Sequence, residues 1–265
     1  MKKYELTIGK KFDNGKILKQ VKALVSFGNV KAGELGGWIE SENNLSQNGN
    51  SWVFGNARVC GNAEVYGDAR VFGDAWVFGD ARVYEGARVF GDARVCGNAR
   101  VYEGARVFGD AWVFGDAWVF GNAEVFGNAE VYGDARVFGN AEVFGNAEVY
   151  GNAEVYGNAE VYGDAEVYGD AEVYGDAMVC GDARVSKQTH FFTIGPIGSR
   201  SSYTTFYRND ENGISVRCGC FSGTIEEFKE KAKETHRDGK HAKAYLAAAE
   251  LAKMQIELDE PENQE

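Results

Sequence analysis

The chain has 265 residues, among them 35 glycines and only two prolines, and its formal net charge is −12. This charge disfavours non-specific binding to nucleic acid or to an anionic membrane surface. The first residues lack the apolar core of a signal peptide, and no apolar run reaches membrane-spanning length. We therefore expect a cytoplasmic protein. Five scattered cysteines are too few for a disulfide framework and are expected to be reduced thiols.

The N-terminal region, residues 1–51, is predicted to form a β cap and an irregular first coil. Apolar and polar residues alternate from Tyr4 to Phe27 around an Asp-Asn-Gly turn at residues 13–15, which is a hairpin signal. Ile39 and Leu45 are one hexad apart, but Val53 follows Leu45 at a longer spacing. This spacing indicates a two-residue insertion at one corner of the first coil.

A hexapeptide repeat dominates residues 52–186. Valine recurs at every sixth position from Val53 to Val185, at 23 positions, in the unit Gly-(Asn/Asp)-Ala-x-Val-(Phe/Tyr/Cys). Strand alternation points each valine inward and its two neighbours outward, while the glycine and the Asn or Asp form the turn. Glu85-Gly86 and Glu103-Gly104 replace the usual turn pair at positions separated by three hexads, as a coil of three hexads per turn would produce. The pattern predicts a mainly β protein with a parallel β-helix.

The repeat resembles that of left-handed β-helix proteins, in which an aliphatic residue is followed four positions later by a small one. The resemblance implies a left-handed coil, and trimers are common among relatives of this fold. The segments 30–33, 36–38 and 45–47 resemble the start of uncharacterised bacterial and phage hexapeptide-repeat proteins, some of which are labelled acyltransferases. A phage or prophage origin, with the host cytoplasm as location, is the expectation that follows.

Residues 187–265 are predicted to form a small α+β domain with the order β-β-β-α-α. Strands are expected at 190–194, 203–207 and 214–220, and helices from a capping box at 224–227 to about His236 and over 240–258. The acidic tail, 259–265, is expected to be frayed. The domain resembles a C-terminal domain of phage proteins whose role is unknown.

The repeat region offers little for catalysis. Hexapeptide acyltransferases typically use a histidine as general base and often a protruding loop, but residues 52–185 contain no His, Lys, Ser or Thr and no loop insertion. We therefore expect no catalytic residue, no cofactor and no enzymatic activity. The alternative is a diverged acyltransferase-like enzyme whose C-terminal domain supplies the base, for example His190.

One cluster has metal-ligand residue types, namely Cys218, Cys220, His236 and His241. Two cysteines at i and i+2 lie on the same side of a strand, but this spacing makes a cramped chelate compared with the usual zinc spacings. The alternative interpretation is that the cysteines pack under the helices and the histidines are exposed. We expect no bound metal.

Every eighteenth residue of the repeat belongs to one outward ladder, and the position before valine defines three faces. Face one carries Trp52, Arg70, Arg88, Arg106, Glu124, Glu142, Glu160 and Met178. Face two carries Arg58, Trp76, Arg94, Trp112, Glu130, Glu148, Glu166 and Arg184. Face three carries Glu64, Arg82, Arg100, Trp118, Arg136, Glu154 and Glu172.

Charge is distributed unevenly along these ladders. Residues 52–118 contain seven arginines against nine acidic residues, whereas residues 119–186 contain two arginines against thirteen. The acidic ladders of faces one and two are Glu124, Glu142 and Glu160, and Glu130, Glu148 and Glu166. Drift and duplication within the hexad are one explanation for them. A surface that docks a basic partner or another copy of the chain is the other.

Face two also combines an alternating Arg58–Trp76–Arg94–Trp112 column with Phe78 and Phe114. Cation–π stacking along a ladder would explain the column structurally. Its functional interpretation is a platform for planar or sugar ligands.

Aromatic residues follow nearly every valine, and so much outward apolar surface indicates a protein contact. The sequence therefore predicts a non-enzymatic structural or interaction protein. We expect a homodimer or homotrimer that presents its C-terminal domain for recognition, with a host protein as a further partner.

Overall fold

The computed structural model describes residues 1–13 and 15–258. It is a mainly β protein with a parallel β-solenoid of about eight turns, followed by a four-stranded antiparallel sheet and two helices. The predicted fold class is therefore confirmed. The turn residue Asn14 and the acidic tail 259–265 lie outside the described residues. Neither helix of the described chain has the length and apolar character needed to cross a membrane.

The elements, in chain order, are β1 (Tyr4–Asp13), β2 (Lys16–Ala23), β3 (Leu35–Ile39), β4 (Trp52–Val53), β5 (Arg58–Val59), β6 (Glu64–Val65), β7 (Arg70–Val71), β8 (Trp76–Val77), β9 (Arg82–Val83), β10 (Arg88–Val89), β11 (Arg94–Val95), β12 (Arg100–Val101), β13 (Arg106–Val107), β14 (Trp112–Val113), β15 (Trp118–Val119), β16 (Glu124–Val125), β17 (Glu130–Val131), β18 (Arg136–Val137), β19 (Glu142–Val143), β20 (Glu148–Val149), β21 (Glu154–Val155), β22 (Glu160–Gly163), β23 (Glu166–Val167), β24 (Glu172–Val173), β25 (Met178–Gly181), β26 (Arg184–Val185), β27 (Phe191–Ile197), β28 (Ser202–Arg208), β29 (Ile214–Cys218), β30 (Phe221–Thr224), α1 (Ile225–His236) and α2 (Lys240–Gln255). Short 3-10 turns cover Glu42–Asn44 and Gln188–His190.

The solenoid has three parallel walls, and in each of them a residue pairs with its equivalent three hexads further along the chain. Val89, for example, pairs with Val71 on one side and with Val107 on the other. Face one is the eight-stranded sheet from β4 to β25, and face three is the seven-stranded sheet from β6 to β24. Face two continues through β3 into the N-terminal hairpin and has eleven strands. The predicted ladders are therefore true structural neighbours. The left hand of the coil stays a prediction from the resemblance.

The interior is filled by the repeated valine and alanine. All 23 valines, and the alanines two positions before the 22 valines from Val59 onward, have no exposed surface. Rungs are joined by backbone bonds, such as the Phe90 N–H donating to the Val107 carbonyl at 3.0 Å. Turn glycines have positive φ, and a Cβ added at Gly109 would lie only 3.0 Å from the Gly127 nitrogen. Glycine is thus required both by conformation and by the close approach of the next rung.

The first coil is irregular in the way the spacing predicts. Ile39 pairs with Val59, and Leu45 bridges to Val65. The two residues of each pair are therefore separated along the chain by three hexads plus the same two-residue insertion. Val53, by contrast, pairs with Val71 after three regular hexads. The two-residue insertion therefore lies between Leu45 and Val53.

Trp52 corrects the predicted outward ladder of face one. Its side chain is fully buried rather than exposed. The rings of Tyr4 and Phe27 contact it edge-on at 6.1 and 5.3 Å, because the N-terminal region folds over this rung. The outward ladder of face one therefore starts at Arg70.

The C-terminal unit has four strands, one more than predicted. Gly219 adopts φ +59 and Cys218 pairs with Phe221, so the chain turns back at Gly219–Cys220 instead of continuing as one strand. The predicted capping box is present, since the Glu227 N–H donates to Thr224 Oγ1 at 3.3 Å. Helix α2 ends at Gln255, before the predicted 258, and the Glu257 N–H donates to the Thr189 carbonyl.

The C-terminal unit closes the last coil of the solenoid. The Met178 N–H donates to Thr205 Oγ1 at 3.0 Å, and Cys180 Sγ lies 3.1 Å from the Tyr207 hydroxyl. Tyr207 is buried and belongs to the solenoid core. Covering this edge removes a template for end-to-end growth.

Candidate functional site

The Arg/Trp column of face two forms, with two cation–π pairs stacked along it. Arg58 pairs with Trp76, Trp76 with Arg94, and Arg94 with Trp112 on successive rungs. The guanidinium carbons of Arg58 and Arg94 lie 4.9 and 4.5 Å from the ring centroids of Trp76 and Trp112. The structure adds Trp38, which pairs with Arg58 and which sequence reasoning missed. Trp38 precedes the regular hexads, so only the spacing of the first coil could have revealed it.

The two phenylalanines beside the column pack against its indoles. The Trp76 and Phe78 rings are 4.3 Å apart and tilted, while Trp112 and Phe114 meet edge-on at 6.2 Å. Trp112 retains 37% exposure, more than the other ring positions of this column. The column therefore stabilises its own wall and leaves one indole accessible.

Face three contains a second cation–π stack that the sequence analysis did not identify. The Trp118 ring lies between two guanidinium groups, with Arg100 at 4.6 Å and Arg136 at 5.5 Å from its centroid. Arg136 also forms an ion pair with Glu154 at 3.2 Å. The alternation of Arg and Trp at a spacing of three hexads was the signal that could have identified it.

The acidic ladder of face two is partly compensated. Glu130 pairs with Glu148, and Glu148 pairs with Glu166. The hydroxyl of Tyr132 donates to Glu148 at 2.8 Å, that of Tyr150 donates to Glu166 at 3.0 Å, and Arg184 forms an ion pair with Glu166. Partial burial, and then the nearby Glu148 charge, raise the pKa of Glu130 above its ordinary value.

Face one separates its charges into two blocks. Its strands stack Arg70, Arg88 and Arg106 directly below Glu124, Glu142 and Glu160. The two blocks meet in an ion pair of 2.9 Å between Arg106 Nη1 and Glu124 Oε1. Partial burial, followed by the charges of Glu160 and Glu124, raises the pKa of Glu142.

An aromatic ladder runs beside these charges on face one. Successive rings are stacked with nearly parallel planes, and their centroids are 4.7–4.9 Å apart. The members are Phe72, Phe90, Phe108, Phe126, Phe144 and Tyr162. Each ring is half-buried. Such stacking stabilises adjacent strands and leaves a row of ring edges on the surface.

The Cys/His cluster lies around one cavity of the C-terminal unit. Cys218, Cys220 and His236 line a space of about 350 Å³ between the Gly219 turn and α1. His241 does not line it, although its ring lies 5.7 Å from that of His236. Among the described residues, no three His, Cys, Asp or Glu side chains converge in a way that could hold a metal ion. The four side chains are neighbours but not a ligand set.

Cys218 is engaged by its own sheet. Thr204 Oγ1 donates to Cys218 Sγ at 3.1 Å. The remaining cavity wall has an apolar part, Phe221 and Phe228, and a basic part, Arg200 and Lys231.

His190, the base of the acyltransferase alternative, lies at the end of the last coil. It is 2% exposed, and the Ser186 N–H donates to its Nδ1 at 3.2 Å. A buried imidazole that is hydrogen-bonded to the neighbouring turn is poorly placed to reach a substrate on an outer wall.

The stacked hexads, the three walls and the buried valine column define a β-solenoid repeat protein. In comparisons with known proteins, the family model described as YdcK β-solenoid repeat matches residues 87–103 and 93–107, within the central coils. The chain is thus similar to that repeat over a short stretch. No curated protein matches it significantly.

Proposed function

We propose that this chain is a non-enzymatic structural and interaction protein, in which a rigid β-solenoid associates with other copies and presents the C-terminal α+β unit for recognition. The observation that carries the proposal is the uninterrupted series of hexads from β4 to β26, which forms all three walls. Every valine of it is buried, and no loop leaves it to shape a catalytic cleft.

The chemistry of the walls supports this role. Their side chains engage one another through stacked rings, cation–π contacts and ion pairs along the ladders. Ladders of this kind give a stiff and extended surface, and exposed rings in rows are typical of protein contacts.

The C-terminal unit supports the recognition role. It is fixed to the last coil, and its cavity combines the Phe221 and Phe228 rings with the basic Arg200 and Lys231 side chains. A cavity with an apolar floor and a few polar groups is the usual form of a ligand or side-chain pocket. A phage or prophage origin and a host protein as the ligand stay part of the proposal.

Two measurements on the full chain test the proposal. We expect light scattering to give a mass above that of one chain, and thermal unfolding to be unchanged by acyl-coenzyme A. A monomeric mass at 100 µM would refute self-association. Stabilisation by acyl-coenzyme A together with release of free coenzyme A would instead favour the acyltransferase-like alternative.

Matched variants identify the group responsible if turnover is seen. His190→Gln would abolish such turnover, whereas His241→Gln, at a histidine that does not line the cavity, would preserve it. Equal turnover in both variants would show that neither histidine serves as the base.

A further inference from the structure

The ladder of face one has a charge sequence that changes sign at every position when it is read in reverse. Beginning at Arg70, its ladder carries three arginines and then three glutamates on consecutive rungs. The midpoint of this series lies between Arg106 and Glu124. Reversing the order of the rungs about that midpoint therefore exchanges every arginine with a glutamate.

Inversion of this kind is what a two-fold axis parallel to the strands would produce. Such an axis brings two copies face to face with their solenoid axes antiparallel. Arg70 then faces Glu160 of the other copy, Arg88 faces Glu142, and Arg106 faces Glu124. The two-fold symmetry repeats each pair, so six opposite-charge pairs form, and an isologous contact of this kind closes at a dimer.

The aromatic ladder follows the same geometry. A two-fold axis along the strands keeps each column at its own position across the face, so rings meet rings and charges meet charges. Phe108 would lie opposite Phe126 of the other copy at the centre of an aromatic stripe, and Phe90 would lie opposite Phe144 one rung further out. Burying this stripe supplies the apolar contact that charged pairs alone do not.

The other two faces lack this property. On face two, the inversion that places Arg94 opposite Glu148 also places Arg58 opposite Arg184. On face three, Trp118 separates Arg100 from Arg136, so no centre pairs every charge with an opposite one. Reversal of face two about Trp112 opposes no like charges, but it leaves Glu148 opposite Trp76. Among the three faces, only face one thus pairs every arginine with a glutamate.

The charge distribution along the whole solenoid favours the same orientation. Residues 119–186 carry a net charge of −11, and residues 1–50 carry +3. An antiparallel arrangement places each acidic end beside the basic N-terminal region of the other copy, whereas a parallel arrangement would superpose the two acidic ends.

We propose that face one is the surface through which two copies of this chain pair as an antiparallel dimer, an inference that rests on the proposed self-association and specifies its interface. The seven outward rungs from Arg70 to Met178, at ~4.8 Å each, give a face roughly 29 Å long and about one strand wide. Its burial is on the order of 1,000 Å² in total, at the low end of specific interfaces, so we expect a weak dimer whose population depends on protein concentration.

Charge reversal at the Arg88–Glu142 pair tests the proposal by sedimentation velocity from 1 to 100 µM. Arg88→Glu places glutamate against glutamate twice, and Glu142→Arg places arginine against arginine twice. We expect each variant alone to dimerise at least about ten-fold more weakly than the wild type. An equimolar mixture of the two, or the double variant, restores opposite charges at both pairs and should recover wild-type dimerisation.

Two controls separate this effect from unfolding or from net charge. Arg88→Glu lies between Arg70 and Arg106 in its own ladder, so its thermal midpoint, measured below the concentration of dimerisation, should not fall below that of the wild type. Arg82→Glu makes the same charge change on face three and should leave dimerisation unchanged.

The outcomes are distinct. A wild-type dimer that is insensitive to both reversals refutes face one as the interface while self-association stands. A wild-type trimer refutes the two-fold arrangement. A wild type that is monomeric throughout the concentration range refutes both this inference and the self-association part of the proposed function.

Discussion

The early coils, residues 52–118, and the late coils, residues 119–186, share one interior and carry different walls. Both halves bury the same valine and alanine with the same register of three hexads. Outside, the early half stacks arginine on tryptophan, and the late half stacks glutamate on glutamate. The valine, the alanine and the turn glycine of each hexad thus determine the fold, and the position before valine is left to determine what the surface binds.

The largest expected effect tests whether the interiors are equivalent. Val89 and Val143 occupy the third rung from the start and the third from the end of the face-one sheet, and both are fully buried. Val89→Ala and Val143→Ala should each lower the free energy of unfolding by about 2–3 kcal/mol, because two methyl groups are lost and a cavity remains. Chemical denaturation measures both values.

A wall substitution in the same coil is the control for this pair. Arg88→Gln should change the free energy of unfolding by less than about 0.5 kcal/mol, measured below the concentration of dimerisation. A difference above about 1 kcal/mol between the two valine variants would show that the halves are not equivalent inside.

The solenoid could be predicted from the sequence because its determinants are local and repeated. A strand that alternates inward and outward must bury every second residue, so Val53 to Val185 could be placed inside from spacing alone. The two-residue insertion before Val53 followed from the same count. In the C-terminal unit, no repeat enforces a register, and the turn at Gly219 was therefore predicted as part of one longer strand.

The burial of Trp52 and the partners of the Cys/His cluster depend on long-range packing. Trp52 is covered by Tyr4 and Phe27, which belong to the N-terminal region and are distant from it in the sequence. Likewise, whether Cys218 meets His236 or His241 depends on how α1 and α2 pack on the sheet. Spacing carries no information on either contact.

The turns give a second difference between the halves. One corner column contains Glu85 and Glu103 in the early half, with φ of +56 and +58. The equivalent residue in the late half is Gly139, with φ of +74. Glu103→Gly should stabilise the chain by about 0.5–1 kcal/mol, because a side chain is removed from the left-handed region. Gly139→Glu should destabilise it by at least this amount, since its Cβ would lie 3.1 Å from the Gly157 nitrogen.

Denaturant midpoints of the two variants provide the measurement. Glu103→Ala serves as the control, because alanine keeps the Cβ and should give no gain. If Glu103→Ala stabilised the chain as much as Glu103→Gly, the charge of Glu103 rather than its backbone conformation would be responsible.

The wall contacts of face two differ in sign between the halves. A double-mutant cycle on Arg94 and Trp112 should give a favourable coupling of about 0.5–1 kcal/mol, as is typical of exposed cation–π pairs. The same cycle on Glu130 and Glu148 should give an unfavourable coupling of a few tenths of a kcal/mol. Couplings of equal sign would contradict the view that wall contacts stabilise the early coils and destabilise the late ones.

The smallest expected effect is on the pH dependence of stability, which should have opposite signs at the two ends of the solenoid. The raised pKa values of Glu130 and Glu142 mean that the folded state binds protons more tightly than the unfolded chain does. Stability of the late coils should therefore rise slightly as pH falls from 7 toward the ordinary glutamate value of 4.5. Glu130→Gln together with Glu142→Gln should flatten this rise in the thermal midpoint.

Glu40 at the N-terminal junction behaves oppositely. The Lys16 ammonium at 2.7 Å, and then the Gly61 N–H at 2.6 Å, lower the pKa of Glu40. The contribution of ionised Glu40 to stability is present above its ordinary pKa of 4.5 and is lost as pH falls through its lowered pKa. Glu40→Gln should therefore reduce stability at pH 7 and have less effect at pH 3.

Native-state hydrogen exchange tests the shared interior most directly. The Phe90 N–H donates to Val107 at 3.0 Å and the Phe144 N–H donates to Val161 at 2.9 Å, at matched distances from the two ends of the sheet. Protection of the two amides within about ten-fold of each other is the result expected for one uniform valine column. Protection at Phe144 more than about 100-fold weaker than at Phe90 would mean that the acidic walls, and not the interior, determine the stability of the late coils.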